Sequence, residues 1–163
     1  MGRKQPKIYY AATSYIRGDK RVGIDYSKGI PSTLELTVVD GIILNSQSKP
    51  YTGDAQFSIR DNYGIKLAKV YPADILYMPH PTLTKGGPVI GAGKLKVSNG
   101  LVEEVNAESG HYRDIFNSVE YSRNTLKVFW EAFRVNRMKM STGARTSMEY
   151  ILFRNQKANL QVR

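Results

Sequence analysis

Apolar and polar residues alternate with a period of two over much of this chain, and short Gly- or Asn-centred turns punctuate the alternation. In "STLELTVVDGIILN", Leu34, Leu36 and Val38 point one way and Glu35 and Thr37 the other. Asp40-Gly41 then separates two apolar runs. That dipeptide predicts a type I′ hairpin, because both central residues of such a turn need positive φ. "AQFSIRDNYGIKLAKV" repeats the pattern, with Phe57 and Ile59 alternating and a turn near Asn62-Tyr63-Gly64. "GAGKLKVSNGLVEEVNAESG" does so again: Leu95 and Val97 alternate, Asn99-Gly100 turns, and "LVEEV" returns. A hairpin over residues 93–106 is expected. Nearer the N-terminus, "PKIYYAATSYIRGDKRVGIDYSK" reads as a strand or hairpin turning at Gly18-Asp19, and "DILYMP" as a short strand stopped by Pro79.

After Gly110 the period changes. "DIFNSVEYSRNTLKVFWEAFRVNRMKM" places Phe116, Val119, Leu126, Phe129, Trp130 and Phe133 at helical spacing. This predicts a helix of about 20 residues, with Asn117 as its cap and Glu120 closing a capping box. Ser141, Thr142 and Gly143 break it, and "TSMEYILFRNQ" reads as a last strand. The expected architecture is α+β: an antiparallel, hairpin-rich sheet or partly open barrel with one long amphipathic helix near the C-terminus. Residues 1–163 read as a single domain, with a basic strand region at 1–30, a hairpin core at 31–112 and a helix plus last strand at 113–163.

Composition narrows the chemistry. The chain has 41% hydrophobic and 23% charged residues, as a globular protein does, and no apolar run long enough to span a membrane. It has no cysteine, so disulfides, thiolate-bound zinc and thiol catalysis are excluded. A basic N-terminus without an apolar core predicts no secretion signal, and Pro6 stands where a myristoylation signal needs Ser or Thr. The expected setting is cytoplasmic and reducing, of bacterial or phage type, or the host cytoplasm if phage-encoded.

The net charge is +10, and its distribution matters more than its size. Residues 1–30 carry seven Lys/Arg against two Asp/Glu, residues 31–112 seven against eight, and residues 113–163 ten against four. Basic ends on a neutral body suit an acidic or phosphate-bearing partner, nucleic acid among them, and equally suit a solvated surface. "IYYAATSY" beside Arg3, Lys4 and Lys7, and "RTSMEYILFRNQK", interleave aromatics with bases. A single-strand or RNA platform has that composition, and so does a half-buried strand.

The two histidines, His80 and His111, bracket "HPTLTKGGPVIGAGKLKVSNGLVEEVNAESGHY". Its matching positions are His80, Gly86-Gly87-Pro88, Ala92-Gly93, Leu95, Val97, Gly100, Val105 and Ser109-Gly110-His111-Tyr112. With these the stretch resembles an uncharacterised domain found in plant IQ-motif proteins and in scattered bacterial proteins. The likeness covers about residues 34–113, in register without a gap from His80 to Tyr112. Pro81-Thr82-Leu83 stand where that family has Ser-Ser-Phe, and Asp114 stands where it has Pro. The family's calmodulin-binding motif has no counterpart here. Some related bacterial effector domains look similar to ADP-ribosyltransferases, so the resemblance also admits NAD chemistry.

Both histidines fall on motif positions, and imidazole can serve as acid, base or phosphate donor. If the hairpin between them folds back, they line one pocket, with Thr82, Ser109, Tyr112 and Arg113 supplying hydroxyls and a guanidinium for a phosphate. The alternative is that each histidine satisfies a backbone group at a strand end. "KGGPVIGAG" lacks the phosphate-loop pattern; its glycines fit a bulge and close backbone approach in a curved sheet. "ARTSMEYI" offers Glu149 as the carboxylate of an ADP-ribosyltransferase-like strand, the one reading that would call for NAD. No metal site is expected, since two histidines lie thirty-one positions apart in a chain without cysteine.

Overall fold

A computed structural model describes residues 6–10, 14–23, 29–70, 83–107 and 118–154. Six antiparallel strands form a curled half-barrel. They are β3 (Glu35–Val39), β4 (Ile42–Leu44), β5 (Gly53–Ile59), β6 (Ile65–Lys69), β7 (Gly91–Ser98) and β8 (Leu101–Asn106), in the spatial order β4-β3-β6-β5-β7-β8. A separate hairpin pairs β1 (Ser14–Arg17) with β2 (Lys20–Gly23) around Gly18 and Asp19. Helix α1 spans Ser118–Val135; α2 spans Thr142–Glu149 and runs into a π-helical turn, Tyr150–Arg154. No described helix is long and apolar enough to cross a membrane.

The turn chemistry read from the sequence holds. Asp40 and Gly41 have φ of 52° and 83°, and Asn99 and Gly100 have 50° and 82°, as type I′ requires. Tyr63 takes the left-handed conformation in the β5–β6 turn. Between Lys96 and Val97 the β7–β8 register shifts, so Lys96 pairs with Glu104 and Val97 with Val102, and Glu103 is the extra residue of a bulge.

Ala55, Phe57 and Ile59 of β5 are fully buried and share a face with Leu67 and Leu95, their cross-strand partners or near neighbours. That face packs on α1, where Phe57 and Phe129 stand 5.0 Å apart between ring centroids. α1 buries Tyr121, Thr125, Val128, Phe129 and Ala132, positions at helical spacing. Gly91 sets the approach distance: a Cβ there would lie 2.6 Å from Val128 Cγ2. At Gly93 a Cβ would strike the Asn106 carbonyl, which bears out close backbone approach as the use of these glycines.

The two free sides of the half-barrel are stitched together. Gly100 N–H donates to Tyr51 O (2.8 Å) and Ile43 N–H donates to Gly100 O (3.0 Å), docking the β7–β8 tip on β4. Beyond α1, Lys139 N–H donates to Gly41 O at 3.0 Å. Val102 N–H donates to Lys139 O at 3.0 Å, and Ser141 N–H returns a bond to Val102 O at 2.9 Å. The strap Met138–Ser141 therefore spans the β8 edge and the β3–β4 turn.

Three expectations are corrected. The C-terminal segment is helical rather than a last strand, so there are two helices and not one. Ser141 does not break α1, which has ended at Val135: its Oγ accepts from Ala144 N at 3.2 Å and caps α2. Ala144 and Met148 are buried and Leu152 is partly buried, a spacing of four that suits a helix, whereas an alternation through Met148, Tyr150 and Leu152 would suit a strand. Val119, placed on the apolar face by its spacing, is 62% exposed, because the buried face of α1 is centred on Thr125 and Ala132. Asn117 and the "DILYMP" run lie outside the described residues.

Candidate functional site

On α1, the residues opposite the buried face are Arg123, Lys127, Trp130 and Arg134. Their spacings of four, three and four place them within about 60° of arc, since a helix turns about 100° per residue. Arg123, Lys127 and Arg134 are exposed. Among the described residues, none of the three has an ion-pair partner. Arg134 also lies in the last turn, where a cation favours the negative end of the helix dipole. Glu120 and Glu131 border the stripe on one side, and Leu126 and Phe133 border it on the other.

Trp130 is half-buried within that stripe. Its ring stacks on Phe133 at 5.5 Å and 18°, and Phe153 of the π-helical turn meets it edge-on at 6.1 Å. The Arg145 guanidinium, from α2, lies 5.8 Å from the Trp130 ring and 5.7 Å from the Phe133 ring. Phe153, Tyr150 and Ile151 are 43%, 56% and 43% exposed. The second helix thus brings an aromatic rim and a fourth exposed cation, Arg145, to the basic ridge. This arrangement can take phosphates on its cations and a planar group on its aromatic surface.

Elsewhere, β3 and β6 pair only through Glu35↔Ala68 and Leu36↔Leu67, then part. A cleft of about 210 Å³ opens there, with Lys66 on its wall and Asn136 at one end. The Asn136 amide is already engaged, donating to Tyr63 O (3.0 Å) and Ala132 O (2.7 Å) at the end of α1. Glu35, Thr37 and Lys66 are its other polar lining residues, among apolar Leu36, Val38, Ile65 and Leu67.

The residues expected to form a phosphate pocket, His80, Thr82, Ser109, His111, Tyr112 and Arg113, lie outside the described residues. Glu149 is exposed at the last position of α2, and not on a strand. Among the described residues no group of three His, Cys, Asp or Glu could hold a metal ion. Of the N-terminal aromatic run, Tyr9 is buried and bridges to Val89, with Lys7 5.5 Å from its ring, while Tyr10 is 73% exposed.

The ridge on α1 went unread in the sequence because "VFWEAF" reads as core. The signal was present: bases at 123, 127 and 134 fall at spacings of four and seven, the complement of Tyr121, Thr125, Val128 and Ala132. Comparison with protein-family models, with curated proteins and with solved structures finds no match for this chain.

Proposed function

We propose that this is a basic binding protein whose partner is a phosphate-bearing polymer, nucleic acid, engaged through the α1 ridge. The observation that carries the reading is the stripe of Arg123, Lys127 and Arg134, without ion-pair partners among the described residues, opposite the core-facing side of the helix. The net charge of +10 supplies long-range attraction, and the ridge gives it a place. Each cation–phosphate contact releases a counterion, so affinity falls with salt by a slope of about 0.7 to 0.9 per contact on a log–log plot. Neutralising all three residues (Arg123→Gln, Lys127→Gln, Arg134→Gln) should reduce that slope by about 2 to 3. Fluorescence anisotropy with labelled RNA and DNA across a salt series measures it. A slope unchanged by the triple substitution, or binding to anionic vesicles with none to nucleic acid, overturns the reading.

A second reading is a small phosphate-bearing ligand held between His80 and His111. The β7–β8 hairpin between them returns the chain from Gly91 to Asn106 in antiparallel register, which is compatible with that pocket. That reading predicts heat on titration with nucleotides, cyclic nucleotides or NAD, lost in the His80→Ala, His111→Ala double variant. The ADP-ribosyltransferase-like reading gains no such support, since Glu149 closes a helix.

A further inference from the structure

We infer that the strand bound on the α1 ridge is single, and that Trp130 is its base-stacking platform, with Arg145 poised as the group that yields to or sandwiches the first base. This rests on the ridge being a nucleic-acid surface at all.

Width is the first argument. The basic stripe is one residue wide, bordered by Glu120 and Glu131 on one flank and by Leu126 and Phe133 on the other. A helix seated in a duplex groove has phosphates on both sides and needs cations on both flanks. Here neither flank carries a cation, so the ridge offers a place for a single phosphate backbone and none for a second. The opposite side of α1 is buried on the sheet and cannot serve a second strand.

The second argument is the position of the aromatic surface. Trp130 interrupts the cations, three residues after Lys127 and four before Arg134. Stacking on an indole needs an open base face, which a duplex conceals within its own stack and a single strand offers freely. Phe153, 43% exposed and edge-on to Trp130, adds aromatic surface beside it. Along the helix, Arg123 to Arg134 spans about 16 Å at 1.5 Å rise per residue, room for a few nucleotides.

Arg145 completes the picture. Its guanidinium stands 5.8 Å from the Trp130 ring and 5.7 Å from the Phe133 ring, and it belongs to α2 rather than to α1. Guanidinium planes stack on bases as well as on indoles, so Arg145 can close over a base seated on Trp130.

Trp130 is the chain's only tryptophan, so its emission reports the contact directly. The experiment pairs anisotropy of a labelled oligothymidylate of about 12 nucleotides, the scale of a small single-strand site, with tryptophan emission, and repeats both with a duplex of equal length. The single strand should bind at least tenfold tighter than the duplex and quench Trp130, while the duplex leaves the emission unchanged. Trp130→Ala should weaken single-strand binding by tenfold or more and leave duplex binding as it was. Trp130→Phe, which keeps the packing against Phe133, should retain most of the affinity, and Arg145→Gln should lose part of it without lowering thermal stability. Equal affinity for the two forms, or single-strand binding without quenching, overturns the stacking inference and leaves the ridge standing. Binding of neither form by anisotropy overturns the ridge itself.

Discussion

Gly100, at the tip of the β7–β8 hairpin, donates its N–H to the carbonyl of Tyr51 at 2.8 Å, joining the last hairpin of the sheet to the loop before β5. The adjacent Asn99 N–H donates to Thr52 Oγ1 at 2.9 Å. The turn is therefore held by its neighbours as well as by its own φ angles.

Substitution at this tip has a double cost. Gly100 has a φ of 82°, and a Cβ there would strike Ile42 Cγ2. Gly100→Val should destabilise the protein by about 2 to 4 kcal/mol, strain at positive φ adding to overpacking. Urea unfolding measures it, and a loss below about 0.5 kcal/mol would mean that the tip is not docked as described.

Thr125 makes the opposite forecast. It is fully buried on α1, and its hydroxyl has no hydrogen-bond partner among the described residues. The side chain faces Gly91, with Thr125 Oγ1 3.2 Å from where a Cβ there would stand. Thr125→Val keeps the branched shape and removes the orphaned group, so stability should rise by about 1 kcal/mol. A thermal melt should shift upward by about 2 to 4 °C for a chain of this length. A downward shift would reveal a bond that the hydroxyl makes after all.

The end of α1 offers a third test. Arg137 adopts a φ of 53° and donates to Arg134 O at 3.1 Å, while Met138 donates to Phe133 O at 2.9 Å. This is a Schellman motif with arginine where glycine is favoured, sealed by buried Phe133 and Met138. Arg137→Gly should stabilise by about 0.5 to 1 kcal/mol. Chemical denaturation that shows a loss instead would assign the Arg137 side chain a stabilising contact.

Local grammar made the sheet legible. Asp40-Gly41, Asn99-Gly100 and the period-two runs around Leu36, Phe57 and Leu95 specify hairpins through φ and side-chain direction, both of which act over a few residues. The C-terminal segment was not legible, because Met148, Tyr150 and Leu152 fit period two as well as Ala144, Met148 and Leu152 fit a helix. What decides between them is the strap and the core that α2 meets, and these are tertiary facts. The site was legible only in its parts. The bases and aromatics of "RTSMEYILFRNQK" drew notice, but their meeting with Trp130 depends on α2 folding back beside α1, which no local pattern encodes.

The strap has a consequence for synthesis. Lys139 bonds to Gly41 and Ser141 to Val102, so the strap joins backbone partners 98 and 39 residues away in sequence. Hairpins can close as they leave the ribosome, since their partners are close in sequence, but the β8 edge and the β3–β4 turn stay uncovered until residue 141 has emerged. During that interval the unpaired edge of β8 lacks its covering segment, and net positive charge is what opposes association of neighbouring copies.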